Sequence, residues 1–133
     1  MSFTMEFDNK NAILRITFEG RVEDRDAFLC SEAARKWLAV NHPSSSIVDL
    51  SRVTRYDVSA NAIKELSALP RTDFHGMLVI VAPKDAAFGM SRMFQILTER
   101  KLLIRVVRTV DEAFTVLDVV SPEFSPLASA KTA

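Results

Sequence analysis

The sequence predicts an α/β fold: an N-terminal β-hairpin, then βα units, forming a mixed sheet with a parallel core and packed helices. Three observations carry this. Phe3–Phe7 and Ile13–Phe18 alternate apolar and polar residues around the turn chemistry of Asp8-Asn9-Lys10-Asn11, the pattern of a hairpin. Strand-like and helix-like stretches then take turns along the chain, which implies parallel strands with crossover helices. Met77-Leu78-Val79-Ile80-Val81-Ala82 is continuously apolar, as suits a strand buried on both faces.

The elements follow in order. Gly20 ends or bulges the second hairpin strand. Asp24 to Val40 reads as a helix, with Ala27, Cys30, Ala34, Trp37 and Leu38 on one stripe. His42-Pro43-Ser44-Ser45 closes it, because proline disfavours helix in the residue before it. Ile47-Val48-Asp49-Leu50 is a short branched strand. Ala62, Ile63, Leu66 and Leu69 mark an amphipathic helix that Pro70 stops. A third helix covers about Ala86 to Arg100, with Met90, Met93, Phe94 and Leu97 as its core stripe. Ile104 to Arg108 alternates like an edge strand. Thr109-Val110-Asp111-Glu112 has the spacing of a capping box and opens a last helix to Leu117 or Val119. The order is β-β-α-β-α-β-α-β-α, one domain over residues 1–120. Residues 121–133, with two prolines, are expected to form a flexible tail.

Composition sets bounds on function. The chain has 133 residues, 48% of them apolar, enough for one domain with a core. Seventeen basic residues balance seventeen acidic ones, so no net field draws in nucleic acid or an anionic membrane. No apolar run is long enough to span a bilayer, and the N-terminus lacks a signal-peptide pattern. One cysteine, Cys30, allows no internal disulfide, so a cytoplasmic location is expected.

The stretch from Ser46 to Ala60 reads as a buried strand, a polar loop and the first turn of a helix. Such corners hold the working sites of many α/β proteins. Asp57 and Ser59 precede the Ala62/Ile63 helix, where a side-chain oxygen caps free backbone N–H groups. Asp49 and Ser51 complete the polar corner. The pattern Ile47-Val48-Asp49-Leu50-Ser51-x-Val53-Thr54-x-x-Asp57-Val58-Ser59-Ala60 resembles the STAS domain, the module of anti-sigma-factor antagonists and sulfate-transporter tails. In that family a strand ending in Asp-Leu-Ser is followed by Asp-Ser-Ser-Gly at a helix start, and the second serine is the regulatory phosphorylation site of many members. Asp57 and Ser59 take the aspartate and phosphoserine positions. Val58 and Ala60 depart from the first serine and the glycine. The resemblance spans about Ile13 to Leu117. Phe88-Gly89-Met90-Ser91-Arg92-Met93-Phe94 and Asp111-Glu112-Ala113-Phe114 look like the SpoIIAA-like (STAS/SEC14-type) branch.

The resemblance implies a non-enzymatic regulatory or interaction module with Ser59 as phosphorylation candidate and a kinase or anti-sigma factor as partner. The alternative it leaves open is a carrier or sensor of a small apolar ligand, such as a lipid, held under the Phe88–Phe94 helix. A homodimer is compatible with either. Phe88, Met90 and Arg92 are the candidate contact or ligand surface, since Phe88 lies with Ser91, Arg92 and Gln95 off the core stripe. The bland alternative has Phe88 covering the sheet end.

Other chemistries find less support. Ser59, His75 and Asp57 are hydrolase residue types, yet no Gly-x-Ser-x-Gly elbow is present. His42 and His75 are too few for a metal site. Gly20, Gly76 and Gly89 make no phosphate-binding loop, so no cofactor is expected. Cys30 lies on a core stripe. Arg100, Lys101, Arg105 and Arg108 are spaced to allow a basic rim, against which stands the plainer reading of an ordinary solvated face.

Overall fold

A computed structural model describes residues 3–70 and 74–127. The chain runs β1 (Phe3–Asp8), β2 (Ile13–Glu23), α1 (Asp24–Leu38), β3 (Ser45–Asp57), α2 (Ala60–Ala68), β4 (Met77–Val81), α3 (Asp85–Leu97), β5 (Leu103–Val107), α4 (Val110–Leu117) and β6 (Phe124–Pro126). One sheet has the order β5-β4-β3-β2-β1-β6. β1 pairs antiparallel with β2 and β6, while β2, β3, β4 and β5 are parallel neighbours. The expected hairpin and parallel core are both present.

The two faces of the sheet follow from the alternation of side chains along each strand. Leu14, Ile16, Leu50 and Ile80 point into a core shared with Cys30 of α1, Ala62 and Ile63 of α2 and Ala87 of α3. Ile13, Ile47, Val79, Val81 and Val107 point the other way, onto Ala113 of α4. β4 is therefore covered on both sides, which explains its unbroken apolar run.

Several boundaries differ from the sequence reading. β2 and β3 run on to Glu23 and Asp57, because Glu19–Glu23 continue the ladder with Arg52–Asp57. Register shifts interrupt it between Thr17 and Glu19 and between Gly20 and Arg21. Gly20 sits at φ +71°, a conformation glycine adopts at low cost, so it marks a bulge rather than a strand end. α1 and α3 stop short of Val40 and Arg100. The buried positions of α3 are Ala87 and Ser91, with Phe94 partly buried against the core. Leu97, expected on the core stripe, is 45% exposed because the stripe facing the core runs through Ala87, Ser91, Phe94 and Thr98, to one side of it. Ser121 onward does not begin as a loose tail. Phe124–Pro126 pair with β1, Leu127 N–H donates to the Met5 carbonyl at 3.1 Å, and the Arg15 guanidinium lies 4.0 Å over the Phe124 ring. The rest of that stretch, 128–133, lies outside the described residues.

Candidate functional site

In a right-handed parallel arrangement each strand delivers its helix start to the same end of the sheet. β2 ends at Glu23 and β3 at Asp57 as cross-strand partners, so α1 and α2 begin side by side. α1 opens with a reciprocal cap between Glu23 and Asp26, in which Glu23 N–H donates to Asp26 Oδ2 at 2.8 Å. α2 opens on Ser59, whose Oγ accepts from Ala62 N–H at 3.1 Å. The same hydroxyl donates to Asp24 Oδ2 at 2.8 Å, and Ser59 N–H donates to Asp24 Oδ1 at 2.6 Å. Both oxygens of one carboxylate thus hold both donors of one exposed serine. The Ser59 hydroxyl has a defined direction and stays at the surface.

Asp57 does not cap α2, contrary to the expectation. It is still strand, and its Oδ2 receives Arg21 Nε and Arg55 Nε, each at 2.8 Å. The hydrogen bond from Arg21, helped by the charge of Arg55, lowers the Asp57 pKa below the usual aspartate value and outweighs partial desolvation. Arg21 is raised in turn, and it also meets Glu23 at 3.2 Å. Beneath this surface Tyr56 is pushed up to about 12 by burial and by the charge of Asp24. The corner therefore has two layers: Ser59 with Asp24, and Asp57 with two arginines.

The other sequence candidates lie apart from Ser59. Asp49 is buried in the body of β3, opposite Thr17 and Val81, and accepts Ser51 N–H at 2.9 Å. It lines a groove on the α4 side of the sheet with Arg15, Thr17 and Arg52. His75 precedes β4 whereas Ser59 follows β3, so the two stand at opposite ends of parallel strands. The hydrolase combination of Ser59, His75 and Asp57 is not assembled. Among the described residues no three His, Cys, Asp or Glu side chains gather as metal ligands, and no helix is long and apolar enough to cross a membrane.

Phe88 is half-buried rather than exposed. Arg108 lies 3.8 Å over its ring and is itself held by Asp85 Oδ1 at 2.8 Å and the Pro83 carbonyl at 3.1 Å. Met90 is partly buried against the core, and Arg92 is exposed. α3 starts at the same end of the sheet as α2, and Lys84 Nζ reaches the Thr54 carbonyl at 3.4 Å.

The fold is shared with a solved protein. The crystal structure of an anti-sigma factor antagonist from Mycobacterium paratuberculosis superposes with a TM-score of 0.50 at 18% identity, covering 88% of this chain and 95% of that one. The fold is the STAS fold. No protein-family model matches the chain, and no curated protein does. At this identity the likeness is one of architecture. Within the STAS fold the Ser59 corner occupies the end of β3 and the start of α2, where the sequence reading placed it.

Asp24 and Arg21 were not among the sequence candidates. Asp24 read as the first residue of a helix, which it is, and nothing local ties it to Ser59. The signal available was topological. Two helices that each follow a neighbouring parallel strand must start together, so an acid at the first position of one faces the cap of the other.

Proposed function

We propose that the chain is a non-enzymatic regulatory module that engages a protein partner at the α1/α2 corner and is switched by phosphorylation of Ser59. One observation carries the reading: an exposed hydroxyl at a helix N-cap, aimed by Asp24 and Ala62. The STAS fold, shared with an anti-sigma factor antagonist, supports a regulatory protein, such as a kinase or an anti-sigma factor, as the partner.

The electrostatics say what a phosphate would do. It brings about −1.5 to −2 charges at pH 7. The α2 N-terminus favours an anion by roughly 0.3–1 kcal/mol. The Asp24 carboxylate opposes it, because the donor hydrogen it received is gone and a like charge stands in its place. Arg21 and Arg55, which share this corner, are already paired with Asp57. These terms nearly cancel for the fold, while the link between α1 and α2 loosens and the corner gains charge. A partner seated there must desolvate that charge or match it with cations. Ser59→Asp and Ser59→Ala variants are both expected to reach the native fold, the alanine variant with the stability loss of a missing cap, and to differ in partner capture. Equal capture by both variants and the wild type removes the switch.

A second reading has its own support. A cavity of about 280 Å³ lies between the sheet and α1, α2 and α3, the layer where a carried apolar ligand would sit.

A further inference from the structure

Each of the three helices turns small side chains to the cavity. Ala27, Cys30 and Ala34 of α1, Ser67 of α2 and Ser91 of α3 line it. The space is about 280 Å³ and partly open to solvent. Two further observations concern its polar groups. Ser46, 5% exposed, lies on the cavity floor between its cross-strand neighbours Leu14 and Leu78, and its Oγ has no hydrogen-bond partner among the described residues. A buried hydroxyl left this way is costly, so such sites usually hold a polar atom from elsewhere. Arg35 and Lys101 also line the cavity. Arg35 Nη1 donates to the Pro70 carbonyl at 2.6 Å and Lys101 Nζ to the Ser67 carbonyl at 3.0 Å. Neither meets a carboxylate among the described residues, and each has donors to spare.

These groups share one end of the molecule. Ser46 is at the start of β3, Arg35 in the last turn of α1, and Lys101 just ahead of β5. That is the end where the parallel strands begin, opposite the Ser59 corner. We propose that the cavity binds a short single-chain amphiphile with an anionic head. Its alkyl chain lies between the helices and the sheet, and its head meets Arg35 and Lys101, with the Ser46 hydroxyl as a further donor. The proposal rests on the ligand-carrier reading. A volume near 280 Å³ takes roughly eight to ten methylenes, if each fills about the ~30 Å³ liquid share of a water.

The test is calorimetric titration of the full chain with decanoate and with decanol, both below their aggregation limits. One decanoate is expected per chain, binding at least about tenfold tighter than decanol. From hexanoate to octanoate each added methylene is expected to tighten binding about fourfold, and the gain is expected to stop once the cavity is full. The double variant Arg35→Met/Lys101→Met is expected to bind decanoate as weakly as decanol while binding decanol like the wild type, which also shows that it is folded. Equal affinity for the two probes in the wild type, or unchanged decanoate affinity in the double variant, overturns the head-group assignment and leaves the carrier reading standing. If neither probe binds the wild type, both fall.

Discussion

Replacing Ser59 with alanine removes one atom from an exposed position, and the geometry says the loss is larger than a surface site normally gives. The Oγ accepts from Ala62 N–H and donates to Asp24 Oδ2. Loss of an N-cap acceptor costs about 1 kcal/mol. Loss of a hydrogen bond to an exposed carboxylate adds about 0.5–1 kcal/mol. Ser59→Ala is therefore expected to lose about 1.5–2 kcal/mol. Ser59 N–H still reaches Asp24 Oδ1 at 2.6 Å, so the helix starts stay together. Urea unfolding followed by circular dichroism measures the change, with an unchanged m-value expected. Asp24→Ala, and the double variant with Ser59→Ala, complete a cycle with an expected coupling of about 0.5–1 kcal/mol. A midpoint shift worth less than about 0.5 kcal/mol, the ordinary range for surface substitutions, together with zero coupling, refutes the reasoning.

Asp57→Asn should matter only above acid pH: the folded-state pKa is depressed, so its stabilisation is present above the unfolded value and disappears as pH falls through the folded one. The gap between the melting curves of wild type and variant is expected to start narrowing near pH 3.8, the ordinary value, and to close only below the depressed folded value; a gap that stays constant on acidification contradicts the pairing with Arg21. Phe88→Ala is expected to cost about 1.5–2 kcal/mol, roughly half a buried phenylalanine plus the cation contact from Arg108; a change near zero by chemical denaturation means the ring is free. Gly76→Ala is expected to destabilise strongly, since a Cβ would collide with the Ser44 carbonyl oxygen, and a variant of wild-type midpoint rules out that close approach. Cys30, whose thiol burial pushes up to about 12, should react with a thiol reagent at pH 8 only on the timescale of opening, and immediate labelling of the native protein contradicts its burial.

The hairpin, the order of strands and helices and the doubly covered β4 were legible because each rests on periodicity, which local sequence carries. The long ends of β2 and β3 were not. Glu19-Gly20-Arg21-Val22-Glu23 and Ser51-Arg52-Val53-Thr54-Arg55-Tyr56-Asp57 are mostly polar, the second without strict alternation, and hold as strands by pairing with each other, a long-range fact. Without that extension in view, Asp57 reads as a loop residue next to a helix and competes with Ser59 for the cap that Ser59 makes. The identity of the Ser59 partner was hidden for the same reason: Asp24 is near only after the sheet forms. Phe88 was placed off the core stripe of α3, but its cover, Arg108, comes from beyond β5. β6 was missed because a three-residue strand in a stretch with two prolines has no periodicity to read; its place comes from the open edge of β1.

The central claim is that Ser59 is a modified, regulatory serine at the meeting of two helix starts. Phosphopeptide mass spectrometry tests it most directly, on the chain isolated from its own cells under several growth conditions, beside a Ser59→Ala copy expressed in the same cells. The account predicts a phosphate on Ser59 in at least one condition, absent from the copy, with the circular dichroism spectrum of the phosphorylated chain unchanged. A wild-type chain whose Ser59 peptide is fully covered and unmodified in every condition contradicts it, and leaves the serine as the N-cap of α2 and nothing more.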